Sequence, residues 1–331
     1  MRKHKVSVLA LILACLGMAS AATVSVGAEK TSDFPNRAVT IVSPFAAGGA
    51  TDVLARVVAH RLGEIWKQSV VVENKAGAGG VIATGYVANS KADGYTLLLG
   101  SVGPIEVLPS LLKKLPYDPE KDLAAVSMLV NVENVLVVNN SVPAKSVKEL
   151  IAFAKKNPGS LNFGSSGIGT TGHLAGEVFK QQTNIEMQHV PYRGGAPAAN
   201  ALLAGDVQLS FATVPSVVGH VNAGKLRALA VTGSESLSAL PGVPPIKDEG
   251  VPDYRIASWY GLVAPSGTPP AVINKIHGDV QKVLAMPDVK ATLLDQGWTT
   301  VSASVEQMQK QISSGIKEWK VVLERAGIQA E

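Results

Sequence analysis

The residues best suited to chemistry in this chain are small, polar and grouped in two glycine-rich loops. Pro44-Phe45-Ala46-Ala47-Gly48-Gly49-Ala50-Thr51-Asp52 follows a strand-like run over 39–43 and precedes a helical pattern over 51–65. Ser165-Ser166-Gly167-Ile168-Gly169-Thr170-Thr171-Gly172 follows a second such run over 161–164 and opens a helical segment over 172–182. Hydroxyls, exposed backbone amides and the positive end of a helix suit an anion such as a carboxylate, and glycine admits a ligand close to the backbone. Taken singly, either loop reads as a turn whose helix is N-capped by Thr51, Asp52 or Thr171. Two such loops, one in each half of the chain, favour binding. Tyr192-Arg193-Gly194-Gly195, after another strand, offers a cation to the same kind of ligand.

Rival chemistries fit less well. Gly167-Ile168-Gly169-Thr170-Thr171-Gly172 matches the dinucleotide fingerprint, but the expected acid some twenty positions later is replaced by Tyr192 and Arg193. A dinucleotide-dependent enzyme is therefore the alternative rather than the main reading. Gly164-Ser165-Ser166-Gly167 fails as a nucleophile elbow because Ile168 stands where glycine is needed. His173 lies one helical turn from Thr170, within reach of Ser166, and also suits a helix or cleft wall. His60, His189, His220 and His277 lack metal-ligand spacing. No constellation demands catalysis, and neither a metal nor a cofactor is expected.

The elements that position these loops alternate along the chain. Strands are expected over 39–43, 70–73, 95–99, 135–138, 161–164, 187–191, 207–211, 226–231 and 258–263. Helices are expected over 51–65, 81–90, 147–156, 172–182, 196–204 and 216–223, with 269–326 mainly helical. Strand–helix alternation with nearly continuous apolar strands indicates parallel sheets covered on both faces, an α/β fold. Charged residues make up 17% and apolar ones 46%, the balance of a well-buried globular protein.

The N-terminus predicts an address. A basic segment, Met1 to Lys5, precedes an apolar run over 6–14 and the small residues Ala19-Ser20-Ala21-Ala22. That order is a secretory signal peptide, residues 1–28, cut after Ala21 or Ala28. A tilted membrane anchor and a lipoprotein box ending at Cys15 are the competing readings. Cys15 is the only cysteine, so the mature chain has no thiol chemistry. Residues 1–28 carry Arg2, Lys3 and Lys5 and no acid, so cleavage takes the formal charge from +4 to +4 − 3 = +1. The basicity belongs to the export signal and supports no nucleic-acid partner.

With these motifs in view, the chain resembles a known family. Val42 to Asp52, Val71 to Gly80, Asp93 to Gly100, Leu115-Pro-Tyr-Asp118, Val142 to Val147, His189-Val-Pro-Tyr-Arg-Gly194, Ala223 to Val231 and Ser258 to Pro265 are similar to segments of Bug-type solute-binding receptors of tripartite tricarboxylate transporters. The similarity covers the mature chain in order. It implies a periplasmic binding protein type II fold, two doubly wound lobes joined by two crossover strands near residues 134 and 258. Lobe 1 would be 29–134 plus 259–331, and lobe 2 135–258. It further implies a periplasmic monomer that binds a small organic carboxylate (a di-, tricarboxylate or aromatic acid) and serves integral membrane transporter subunits or a sensor. The ligand residues implied are Phe45, Ala47, Gly48, Gly49 and Asp52; Ser101 and Gly103; Ser166, Thr170, Thr171 and His173; and Tyr192, Ala212, Thr213, Val214 and Pro215. Ile168 stands where the family often has a polar residue, which makes that wall more apolar, and Ala212 stands where many relatives have Asp, which weakens the case for an amino-acid ligand. Glu106, near the expected cleft, is read as a solvated surface acid.

Overall fold

The computed structural model describes residues 34–328. The signal segment, its cleavage sites and Cys15 lie outside the described residues. In chain order the strands are β1 (Val39–Ser43), β2 (Val70–Asn74), β3 (Thr96–Ser101), β4 (Leu123–Asn139), β5 (Asn162–Ser165), β6 (Gln188–Pro191), β7 (Leu209–Thr213), β8 (Leu226–Val231), β9 (Ala257–Pro265) and β10 (Thr299–Thr300). The helices are α1 (Ala50–Trp66), α2 (Val81–Ala88), α3 (Leu108–Leu111), α4 (Val147–Lys156), α5 (Thr171–Thr183), α6 (Gly195–Ala204), α7 (Val214–Asn222), α8 (Pro270–Ala285), α9 (Pro287–Asp295) and α10 (Val305–Arg325).

The strands run in the order β2-β1-β3-β9-β4-β7-β5-β6, with β8 and β10 also paired to β4. The fold is the expected α/β one, but its sheets are mixed. β1 pairs β2 and β3 in parallel, and β5 pairs β6 and β7 in parallel, whereas β4 and β9 run antiparallel to their neighbours. β4 is the long element that sequence reading cut short to 135–138. Its residues 123–133 pair with β9, and from Asn134 onward it pairs with β7 and β8 instead. Ser127, Asn131 and Glu133 interrupt the apolar run, which hides a single strand from a periodicity argument; pairing across its whole length holds it extended.

Helix α1 shows why the elements form where they do. Leu54, Val58, Leu62 and Trp66 recur every fourth residue and are buried, each contributing roughly 1.5–3 kcal/mol on leaving water. The helix stops at Lys67, which adopts a left-handed conformation. At the other end of the chain, Ser304 and Gln307 form a capping box that starts α10. One apolar cluster gathers Leu98, Ile105, Trp259, Met308 and Ile312, and a second gathers Leu136, Phe163, Phe179, Phe211 and Tyr254.

Candidate functional site

Four helices begin around one cavity. Gly49, Ala50 and Thr51 start α1, Thr170, Thr171 and Gly172 start α5, Gly195 starts α6, and Thr213 and Ser216 lie in the first turn of α7. Phe45, Ser101, Gly103, Asn134, Ser166, Phe211, Ser258 and Tyr260 complete the lining of a cavity of about 30 Å3. That is room for one or two water molecules. No lining residue carries a formal charge among the described residues. The chemistry offered is N–H and O–H donation from helix ends whose first-turn amides have no partner inside the helix.

Local hydrogen bonds shape this wall. Ser43 Oγ donates to Thr51 Oγ1 at 3.1 Å, and Thr170 Oγ1 donates to the Gly167 carbonyl at 2.7 Å. These hydroxyls therefore brace the loops, and the expected N-capping by Thr51, Asp52 or Thr171 does not occur: the cap positions are Gly49 and Thr170, neither making a side-chain cap bond. Asn134 uses both ends of its amide, donating to the Phe211 carbonyl and accepting from Thr171 Oγ1. Thr213 and Ser216 hydroxyls meet at 2.9 Å. Burial pushes the Tyr260 phenol well above its ordinary value despite a bond with Thr213, so it stays a neutral donor.

Of the residues implied by the resemblance, Phe45, Gly49, Ser101, Gly103, Ser166, Thr170, Thr171 and Thr213 line this cavity. The others do not. Ala47 and Gly48 are exposed on the loop, and Val214 is wholly buried in an apolar cluster that Tyr192 and Ala212 also pack against. Pro215 occupies the first turn of α7. Asp52 is buried but spoken for: it accepts from the Gly48 N–H at 3.0 Å and from Arg56 Nε and Nη2 at 3.0 and 2.9 Å. Burial raises its carboxyl, but the bonds from Arg56, Gly48 and Asn74 hold it below the usual carboxylate range. It ties the loop to α1. His173 Nδ1 accepts from the Gly169 N–H at 3.2 Å, and its ring stacks on His189 with centroids 4.1 Å apart. Arg193 is exposed and does not line the cavity; its carbonyl accepts from the Ala46 N–H at 3.0 Å.

Asn134, Phe211, Ser258 and Tyr260 were missed because nothing local marks them. The one signal was polarity: Asn134 interrupts an apolar strand. The loops that carry the lining residues also meet. A Cβ on Gly79, whose φ is +62°, would collide with the Ile168 carbonyl, so only glycine fits there.

An α/β fold whose two halves share one strand, with a neutral donor-lined cavity where helices begin, defines a solute-binding protein. The model of the family described as TctC, tripartite tricarboxylate transporter family receptor, matches residues 54–328, and the chain belongs to that family. BugT of Bordetella pertussis is 37% identical over 318 residues, 96% of this chain and 97% of its own. The structure of an R. palustris protein with adipate superposes with a TM-score of 0.88 at 38% identity, covering 90% of this chain and all of that one. The periplasmic binding protein BugD gives 0.87 at 32% identity, again over 90% and 100% of the two chains. The family is the receptor family that the resemblance in sequence implied.

Proposed function

We propose that this chain is an exported receptor that captures a small organic carboxylate between two lobes and delivers it to the membrane subunits of a tripartite tricarboxylate-type transporter. The observation that carries the reading is the meeting of four helix starts at one cavity lined by hydroxyls and amides. A similar R. palustris protein was solved with adipate, which makes a dicarboxylate the first class to try. Lobe 1 is residues 29–134 plus 259–331 and lobe 2 is 135–258, with the passage through Asn134 and the return at Ser258 as the hinge.

Charge-assisted hydrogen bonds contribute about 1.5–3 kcal/mol each, and a helix end roughly 0.3–1. About five such contacts sum to roughly 7.5–15 kcal/mol, and at the upper part of that range, against the low end of the about 4–15 kcal/mol lost on association, they reach the roughly −8 kcal/mol of micromolar binding. A cavity of about 30 Å3 is smaller than any dicarboxylate, so capture requires the lobes to part and close again. No cofactor, nucleic acid or second copy of the chain takes part, and the bound acid is released unchanged. A dinucleotide gains no support: where its fingerprint needs an acid, Tyr192 and Arg193 stand.

The test is thermal unfolding of residues 29–331, denatured and refolded to strip any bound acid, against di-, tri- and aromatic carboxylates and amino acids. At a hundred times its dissociation constant a ligand adds about 2.7 kcal/mol of stability. A shift with one class of acid, recovered unaltered afterwards, is expected. A shift with none, or conversion of the acid, removes the proposal.

A further inference from the structure

Behind the ligand cavity lies a second one, of about 710 Å3 and open to solvent. The two share Ser258 as a wall. Successive residues of β9 point to opposite faces of the sheet, so Tyr260 lines the first cavity and Trp259 the second. The end of β3 and the turn after it divide in the same way, with Ser101 and Gly103 on the ligand side and Val102 and Glu106 behind. Glu106 is therefore no surface acid: it is 1% exposed.

Its carboxyl is gripped from two distant parts of the chain. Trp259 Nε1 donates to Oε1 at 2.8 Å, and the Trp319 indole on α10 makes a second bond. Gly315, one turn before Trp319, leaves the space the carboxyl fills; a Cβ there would collide with it. Residues Gly103–Val107 form a π turn, a local irregularity common at functional sites. The other charged side chains lining this cavity are Glu318 and Arg255, and no ion pair reaches Glu106 among the described residues.

We infer that Glu106 is a positioning residue whose carboxyl, held by Trp259 and Trp319, ties the ligand-facing turn to the hinge strand and α10, and that loss of its proton weakens carboxylate capture by setting a negative charge behind the bound anion. The inference rests on reading the first cavity as an anion site. Burial pushes the carboxyl up to about 8, Glu318 adds to the rise, and the two indole bonds oppose it. The acid is thus neutral at pH 7, and its proton exchanges through the rear cavity without opening the ligand cleft. Once ionised it places an uncompensated negative charge behind an anion. By reciprocity, anion binding raises the proton affinity of Glu106.

The experiment is calorimetric titration of refolded residues 29–331 with adipate at close intervals from about pH 6.5 to about pH 9, for the parent chain, Glu106→Gln, Trp319→Phe and Glu133→Gln. Glu133 is the control because it is a second hinge carboxyl that burial pushes up. Between those pH values the parent should lose about three- to sevenfold in affinity: a full like charge at an assumed separation of about 10 Å and an effective dielectric constant of about 20–40 weakens binding roughly four- to fifteenfold, and with its carboxyl at about 8 part of Glu106 takes its proton back when the anion binds near pH 9. Glu106→Gln should bind like the parent near pH 6.5 and show no fall near pH 9. Trp319→Phe removes a bond that favours the charged form, so its fall should begin at higher pH. A Glu106→Gln chain that keeps the parent's fall, or a Glu133→Gln chain that loses it, overturns the inference. Should Glu106→Gln not fold, an unmoved midpoint in Trp319→Phe does the same. No adipate binding at any pH removes the adipate site and the inference with it, whereas binding with an unchanged fall in Glu106→Gln removes only the role of Glu106.

Discussion

Asn134 Oδ1 accepts a hydrogen bond from Thr171 Oγ1 at 3.2 Å, tying the strand that crosses both sheets to the first turn of α5. Both residues line the donor-rich cavity, and the other end of the same amide donates to Phe211 on β7 at 2.7 Å. Asn134→Leu should cost about 1–3 kcal/mol, because it leaves a buried carbonyl and hydroxyl without this partner. Urea unfolding measures that loss. Adipate affinity should fall with it, since α5 loses the contact that aims its N-terminus.

Gly79 reads out closure. Gly79→Val combines a left-handed backbone with a side chain that meets the Ile168 carbonyl, so the loops cannot come together. The local strain costs about 1–2 kcal/mol, a modest effect on thermal unfolding. Carboxylate affinity should fall by more than about tenfold, the equivalent of some 1.4 kcal/mol withheld from the closed state. Scattering of the adipate-saturated variant should match that of its ligand-free form.

Thr170→Glu places a carboxylate at the start of α5, in the wall of the site. Binding of dicarboxylates should disappear. The circular dichroism spectrum should be kept, since acids are favoured at helix N-termini by roughly 0.3–1 kcal/mol. Unchanged affinity would take this loop out of the site.

His189 should govern part of the acid limb of stability. Its Nε2 lies 2.6 Å from Ser165 Oγ, between the rings of Phe163 and His173. Burial, then the neighbouring His173 and Lys180, lower it from 6.5 to about 3. Between those values the unfolded chain binds the extra proton and the folded chain does not. Stability is therefore lost as pH falls from about 6.5 toward 3, by roughly 1–2 kcal/mol at pH 5. Urea unfolding of His189→Gln should show a shallower slope over this range, and nitrogen NMR of the parent should show a neutral ring at pH 5.

Much of this was legible in the sequence, for physical reasons that differ by element. Strands β1 and β3 are short, largely apolar runs between turn residues, and α1 repeats a buried residue every fourth position. Such patterns encode burial locally. The two glycine-rich loops announced themselves because hydroxyls and glycines before a helix have few uses. β10 escaped notice because two residues carry no periodicity.

By itself, then, the chain determined the alternation of elements and the two loops that set hydroxyls and glycines before helix starts. Tertiary structure decided which side chains face the cavity. Asp52, a ligand candidate by resemblance, braces its own loop, because Arg56 stands one turn away and donates to its carboxylate. Glu106 looked like a surface acid and proved buried, because Trp259 and Trp319 come from elements more than 150 residues farther along the chain. Burial of a polar group depends on what packs over it, and no window of sequence contains partners so far apart.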